Sequence, residues 1–155
     1  MSIYYPEFNE LDRKITAILS QDATVTSAVL GEMVGLSSSA TNERVRKLKK
    51  FGIIKRMVAF VDADFMDMEL CSYISLALDG MANGVMIIDE ICEHPNVHEC
   101  HHMAGEYSHL LKVRVANTKG LEQFITGFLK EKLNIKKTMT QIVLSSNKEE
   151  SVVVE

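Results

Sequence analysis

Between residues 71 and 144 the hydrophobic period switches between two and 3.6 in a fixed order, and that order admits few folds. CSYISLAL (71–78) is β-branched and aromatic, as strands are. NGVMIIDEICEHP (83–95) predicts a helix that Pro95 ends. VHECHHMA (97–104) alternates with period two, Gly105 starts a tight connection, and LLKVRVA (110–116) returns as the second strand of a hairpin. TKGLEQFITGFLKEKL (118–133) puts Leu121, Phe124, Ile125, Phe128 and Leu129 on one helical face, with Asn117 or Thr118 as its cap. KKTMTQIVLS (136–145) supplies a last strand. The order is β-α-β-β-α-β, a ferredoxin-like split βαβ unit with a four-stranded antiparallel sheet. Both helices fall on one face of that sheet. The other face needs cover, and a second copy of the chain is the simplest cover.

The first sixty residues carry helical periods. NELDRKITAILSQD places Leu11, Ile15, Ile18 and Leu19 on one stripe, and Asn9 can cap it. TSAVLGEMVG predicts a short helix that starts at Thr26 or Ser27, buries Val29, Leu30, Met33 and Val34, and breaks at Gly35. Ser37 then caps a third helix, SSATNERVRKLKKF, which runs to Gly52. Three such helices with a short turn before the last predict a helix-turn-helix. On the third helix Thr41, Val45 and Leu48 turn inward, while Ser39, Asn42, Glu43, Arg46 and Lys50 turn outward, flanked by Lys47 and Lys49. Ser38, Ser39 and Asn42 are residue types that reach base edges; the basic residues after them are types that hold phosphates. Glu43 either accepts a hydrogen bond from a cytosine amino group or faces water. The segment IIKRMVAFVD after Gly52 is β-branched and alternating, and predicts the strand of a winged unit or a linker strand, with Lys55 and Arg56 near a duplex backbone.

The expected fold is therefore α+β: a helix-turn-helix, winged-helix-like domain at 1–53, a linker strand and hinge at 54–70, the βαββαβ domain at 71–148 and a tail at 149–155. Charge divides along the same line. Formal net charge is −4 overall, yet residues 1–60 hold nine Lys/Arg against six Asp/Glu and residues 61–155 hold eight against fifteen. Two modules with different partners account for that asymmetry. The three cysteines, Cys71, Cys92 and Cys100, have no paired spacing, no apolar leader opens the chain, and no stretch approaches a membrane span. A reduced, cytoplasmic protein with no membrane association is expected.

VHECHHMAGEYSHLL (97–111) gathers four of the five histidines and one cysteine. On a strand His98, Cys100 and His102 share one face and are zinc-ligand types, but the spacing lacks a clear fourth ligand and His101 points the other way. A metal or pH response of these three stays open as a side role.

The segments LDRKITAIL, VGLS…RVRKLKKFGII and ECHHMAGEYSHLLKVRV, in that order and spacing over about residues 8–148, resemble the hallmarks of the Lrp/AsnC family, the feast/famine regulatory proteins. The resemblance implies a transcription regulator that binds double-stranded DNA. It further implies dimers formed through the C-terminal domain, which assemble to tetramers, octamers or higher forms, and a small effector, usually an amino acid, at the junction between dimers. It carries no cofactor and no metal, so 97–111 reads as an effector-loop strand. DNA contact then falls to Ser38, Ser39, Asn42, Glu43, Arg46, Lys47, Lys49 and Lys50. The effector site takes the loop Ala104, Gly105, Glu106, Tyr107 and Ser108, with Thr118, Gln141, Ile142 and Val143 matching response positions and Thr138 and Thr140 adding hydroxyls. Ser108 departs from the aspartate common in similar sequences, which leaves Glu106, neutral hydrogen bonds or a different ligand to meet an ammonium group. His102 departs from an apolar residue.

Two other functions compete. An enzyme needs a nucleophile with its base, a phosphate loop or a metal motif such as HExxH, and the chain contains none of these motifs. An architectural protein of the same family, wrapping DNA with low specificity, is the closer alternative to a sequence-specific regulator.

Overall fold

A computed structural model describes residues 8–78 and 83–149, and these form two compact units: one of residues up to Phe60 with Lys148 and Glu149, the other Val61–Asn147. The tail expected at 149–155 lies, from residue 150 onward, outside the described residues.

The first unit is three helices, α1 (Glu10–Gln21), α2 (Ser27–Val34) and α3 (Ser38–Lys50). Each starts where a short polar side chain captures a free backbone N–H. Asn9 accepts from Leu11 and Asp12, and Asp12 accepts from the Asn9 N–H in return, a complete capping box. Thr26 and Ser37 cap α2 and α3 through the N–H groups of Val29 and Ala40. Ile15, Leu19, Leu30 and Leu48 close the core between the helices, joined by Val34, Val45 and Ile54. Asp12, 1% exposed, also meets the Arg44 guanidinium at 2.8 Å, which fixes α3 against α1.

Two expectations fail here. Val29 and Met33 are 49% and 59% exposed, so the buried stripe of α2 is only Leu30 with Val34 beside it. An eight-residue helix of two turns buries only a narrow stripe. Nor is a strand formed at 53–62: among the described residues the segment pairs with no strand, so the ladder hydrogen bonds that define one are not made there.

The second unit holds the sheet. Strands β1 (Leu70–Ala77), β2 (Val97–His102), β3 (His109–Val115) and β4 (Lys137–Ile142) pair antiparallel in the order β2-β3-β1-β4. Helix α4 (Gly84–Glu93) joins β1 to β2. Helix α5 (Thr118–Gln123), capped by Asn117, joins β3 to β4 and continues as a wider π-helical stretch over Phe124–Lys132. Its i→i+5 bonding shows at the end, where the Leu133 N–H donates to the Phe128 carbonyl. Phe124, Leu129 and Leu133 keep facing the sheet through these wider turns. Ile74, Leu76, Leu111 and Val113 meet Ile91, Leu121, Phe124 and Leu129 in one apolar core on the helical face. The opposite face carries Tyr73, Ser75, Lys112 and Met139, in register across β1, β3 and β4.

Two residues in these packed regions give direct tests. A Cβ built on Gly31 would lie 2.6 Å from the Leu36 carbonyl oxygen and 3.0 Å from Thr41 Oγ1, so the α2–α3 turn closes only over a glycine. Gly31→Ala should cost about 1–3 kcal/mol as overpacking, read from denaturant melts of the helical signal; an unchanged midpoint would mean the turn relaxes freely. His94 stacks against Phe124 and Phe128, and its Nδ1 accepts from the Asn96 N–H, a bond that needs the neutral ring. Burial, and then the nearby Lys132 charge, hold its imidazole below the ordinary value. The unfolded chain therefore binds a proton first, so stability is intact above about pH 6.5 and falls as pH drops below it. His94→Asn should flatten that part of a melting-temperature profile between pH 7.5 and 5.

Candidate functional site

Helix α3 sorts its side chains by face. Thr41 and Leu48 are fully buried, while Ser38, Ser39, Asn42, Glu43, Arg46, Lys47, Lys49 and Lys50 are all exposed. The turn of Gly35–Ser37 sets the helix in place: Gly35 takes a left-handed φ of 75° and Leu36 N–H returns to the Gly31 carbonyl. Basic residues Lys47, Lys49 and Lys50 occupy the last turn, where they also complement the helix dipole. Glu43 is exposed to water, one of the two alternatives read for it, and there it also pairs with Arg46 at 2.6 Å. Such an exposed pair is worth little and opens readily. Asn42 accepts a 2.5 Å hydrogen bond from the Ser27 hydroxyl of α2, which orients its amide. Ser27 and the Asp12–Arg44 pair were invisible in the sequence, because each joins residues 15 or more apart.

The β2–β3 hairpin carries the second set. Gly105 has φ 148°, a conformation side chains rarely adopt, and open space where a Cβ would be, so its glycine serves backbone shape rather than a close approach within this chain. Glu106 forms an ion pair with Lys137 at 2.9 Å, and the same ammonium sits 5.0 Å above the Tyr107 ring. Lys137 was missed by sequence reasoning: it begins β4, thirty-one residues from its partner. Ser108 Oγ accepts from the Leu78 N–H at 3.0 Å and lies near the Leu76 carbonyl and His109 Nδ1, which ties the hairpin to the end of β1.

The remaining effector candidates do not all converge. Thr138 pairs with Leu76, itself opposite His109, and so lies at the hairpin end of the sheet. Ile142 pairs with Ser72, and the Val143 N–H donates to the Cys71 carbonyl, near the other end. Thr118 begins α5 beyond that same end of β3. Thr140 and Gln141 lie between. Strand β3 alone spans about 20 Å at ~3.3 Å per residue, so no single small ligand touches both groups in one chain.

The histidine-rich stretch also rearranges. A bulge between Val97 and Glu99 takes His98 out of the alternation. Cys100 faces the core, and His102 stacks on His109 at 4.9 Å. Among the described residues no three His, Cys, Asp or Glu converge as metal ligands. Glu99 instead binds His101 at 3.1 Å and Lys112 at 3.3 Å; the His101 hydrogen bond, with Lys112 beside it, holds its carboxyl below the usual range against the opposing effect of burial.

Ser108→Ala removes the acceptor from a half-buried backbone N–H. It should cost about 1–2 kcal/mol by urea denaturation and leave the α1–α3 unit unaffected. A neutral result would mean that the Leu78 N–H finds water at once.

Residues 74–153 match the Lrp/AsnC ligand binding domain, and residues 8–55 match a winged helix-turn-helix DNA-binding domain. The chain is 26% identical over 141 residues to the HTH-type transcriptional regulator FL11 of Pyrococcus horikoshii, covering 91% of this chain and 92% of that one. A solved AsnC family transcriptional regulator from Agrobacterium tumefaciens is 26% identical with TM-score 0.85, covering 94% and 95%. A transcriptional regulator from Neisseria meningitidis, solved as a complex with L-Met, shares the fold at 21% identity and TM-score 0.85, covering 93% and 94%. Regulators of transcription are what the chain resembles over nearly its whole length. Its helix-turn-helix, its four-stranded sheet and these matches agree, and the chain belongs to the Lrp/AsnC family of transcriptional regulators.

Proposed function

We propose that this chain is a sequence-specific DNA-binding regulator whose assembly or DNA affinity responds to a small effector of the amino-acid class. The observation that carries the DNA half is the exposure of eight of the ten polar residues of α3, all but Thr41 and Arg44, with lysines gathered in its last turn. Phosphates take Arg46, Lys47, Lys49 and Lys50; base edges take Ser38, Ser39 and the pre-oriented Asn42. On this reading Glu43 releases Arg46 to a phosphate. The protein acts in the cytoplasm with its DNA; no described helix is long and apolar enough to cross a membrane.

The effector half rests on the hairpin. Glu106 and Lys137 offer one charge of each sign beside a loop, which is what a zwitterion needs at its two ends. Lys137 takes the carboxylate and Glu106, not Ser108, takes the ammonium. The neisserial relative solved with L-Met supports an amino acid as the ligand class. The ligand-response positions at the two ends of the sheet meet only when a second copy brings its own set alongside, so the pocket is a junction between chains in a dimer-based assembly. The face bearing Tyr73, Leu110, Lys112 and Met139 is the surface through which two copies pair.

Arg46→Ala and Lys50→Ala should each weaken binding at every sequence and reduce the slope of log affinity against log salt by about 1. Asn42→Ala should instead lose about 1–3 kcal/mol of discrimination at one base pair. Footprinting decides the class: discrete protected operators support a regulator, and uniform coating supports DNA wrapping. Thermal-shift screening of the twenty amino acids should find one that stabilises by about 2.7 kcal/mol at 100 times its dissociation constant, an effect lost in Lys137→Gln. A ligand that binds Lys137→Gln as well as wild type would remove this hairpin from the site.

A further inference from the structure

Ser27 and Asn42 stand on different helices and share one short hydrogen bond. The Ser27 hydroxyl donates to Asn42 Oδ1 at 2.5 Å, across fifteen residues of chain. The helix approach behind this bond is set one turn away. There Gly31 of α2 lies so close to α3 that a Cβ on it would come to 3.0 Å from Thr41 Oγ1. Ser27 lies four residues before Gly31 on the same helical face, and Asn42 follows Thr41, so the same contact seats one against the other. Ser27 is half-buried and Asn42 is exposed. Among the described residues Asn42 Nδ2 donates to no group, and Oδ1 receives only the Ser27 proton. The start of α3 has no other amide. The Ser39 hydroxyl shares a bond with the Ser37 hydroxyl in which either oxygen can donate. A hydroxyl rotates to give or take a proton, so it suits any base edge. An amide held by its oxygen does not.

We propose, on the footing of the sequence-specific DNA binding inferred above, that Ser27 of α2 is a specificity-positioning residue: by holding the Asn42 amide in one orientation it makes Asn42 a reader of adenine in the major groove. A carbonyl oxygen has two lone pairs. One takes the Ser27 proton and the other remains beside Nδ2–H, so Asn42 shows one acceptor and one donor outward. Adenine alone answers that pair on its own major-groove edge, with N7 as acceptor and the N6 amino group as donor. Guanine offers two acceptors, N7 and O6, and would set O6 against Oδ1. Cytosine offers a donor alone, and thymine an acceptor beside a methyl group. Without Ser27 the amide turns about χ2, a broad and roughly two-fold torsion, and presents donor and acceptor in either order. Ser27 removes that freedom before DNA arrives, so less ordering remains to be done on the matching base. Thr26, not Ser27, caps α2, so the Ser27 hydroxyl is left to this task.

The experiment selects binding sites for the full-length protein from a random duplex library. It then measures affinity for duplexes carrying each base at every enriched position, with wild type, Asn42→Ala, Ser27→Ala and the double variant. Wild type should prefer adenine at one position by about 5- to 150-fold, the range of a bidentate contact, and Asn42→Ala should have no preference there. Ser27→Ala should cut that preference about two- to tenfold. It should leave affinity for unrelated duplexes and its salt slope unchanged, and have no further effect in the Asn42→Ala background. Replacing that adenine by 7-deazaadenine, which lacks the N7 acceptor, should weaken wild type and leave Asn42→Ala unmoved. A merely structural Ser27 would lower affinity for every duplex alike. That result, an adenine preference unchanged in Ser27→Ala, or an Asn42-dependent position that prefers another base would each overturn the proposal while discrete binding sites persist. A wild-type selection with no enriched sequence would bring down sequence-specific binding itself, and the role of Ser27 with it.

Discussion

A sheet whose central strands are bonded on both sides can bury a face only under something else, and here the two crossovers between strands supply it. β1 and β3 are the middle pair, and Ile74, Leu76, Leu111 and Val113 reach full burial because α4 and the α5–π stretch lie over them. That arrangement fixes the rest of the unit. It makes β2 and β4 the edges, sets the hairpin loop at one end of β3 and the start of α5 at the other, and brings Lys137 of one edge close to Glu106 at the tip of the hairpin.

The helical unit solves a different problem with less material. Four buried aliphatic side chains are a small core, and the positions of the helices rely on polar contacts around it. Asp12 closes the cap of α1 and receives Arg44, so one carboxylate both starts the first helix and orients the third. Gly31 lets the α2–α3 turn close, and Ser27 then reaches Asn42. The apolar stripe of α3 is narrow, just Thr41, Val45 and Leu48, which leaves most of its circumference polar and basic. A recognition surface of this kind follows from how little of the helix the core needs.

What could be read from the sequence was what short-range chemistry decides. Asn9, Ser37 and Asn117 cap helices because an N–H two or three residues on has no other acceptor, and the strand and helix periods follow from which side chains must leave water. The exposure of Ser38, Asn42 and Lys50 came with the period of α3. The unread part depended on distance along the chain. Val29 and Met33 fit a buried stripe until the actual width of the α2 contact is known. The bulge at His98 leaves the same apolar and polar letters in place while changing which of them share a face. The π-helical turns are compatible with the same spacing of Phe124, Phe128 and Leu129 that suggests a regular helix. The separation of Thr118 and Ile142 from the hairpin loop is a property of the sheet, not of any segment.

The face away from the helices makes its own demand. Lys112 is only 8% exposed although it stands on that face, and Glu99 meets it from the neighbouring strand with His101 as a further partner. A lysine so placed cannot be covered cheaply unless its carboxylate goes with it, since a buried charge left unpaired costs several kcal/mol. The pair supplies that carboxylate from within the chain, so a second copy seated on this face has to accommodate a nearly neutral ion pair and not a lone cation. Such a pair adds little net affinity, because desolvation offsets its attraction. It does discriminate: an apolar surface without hydrogen-bonding groups at that point would strip water from Glu99 and His101 and return nothing, whereas a matching copy can offer its own polar groups. Tyr73, Leu110 and Met139 around the pair are apolar enough to favour contact, and the charges at the centre restrict which surface can make it.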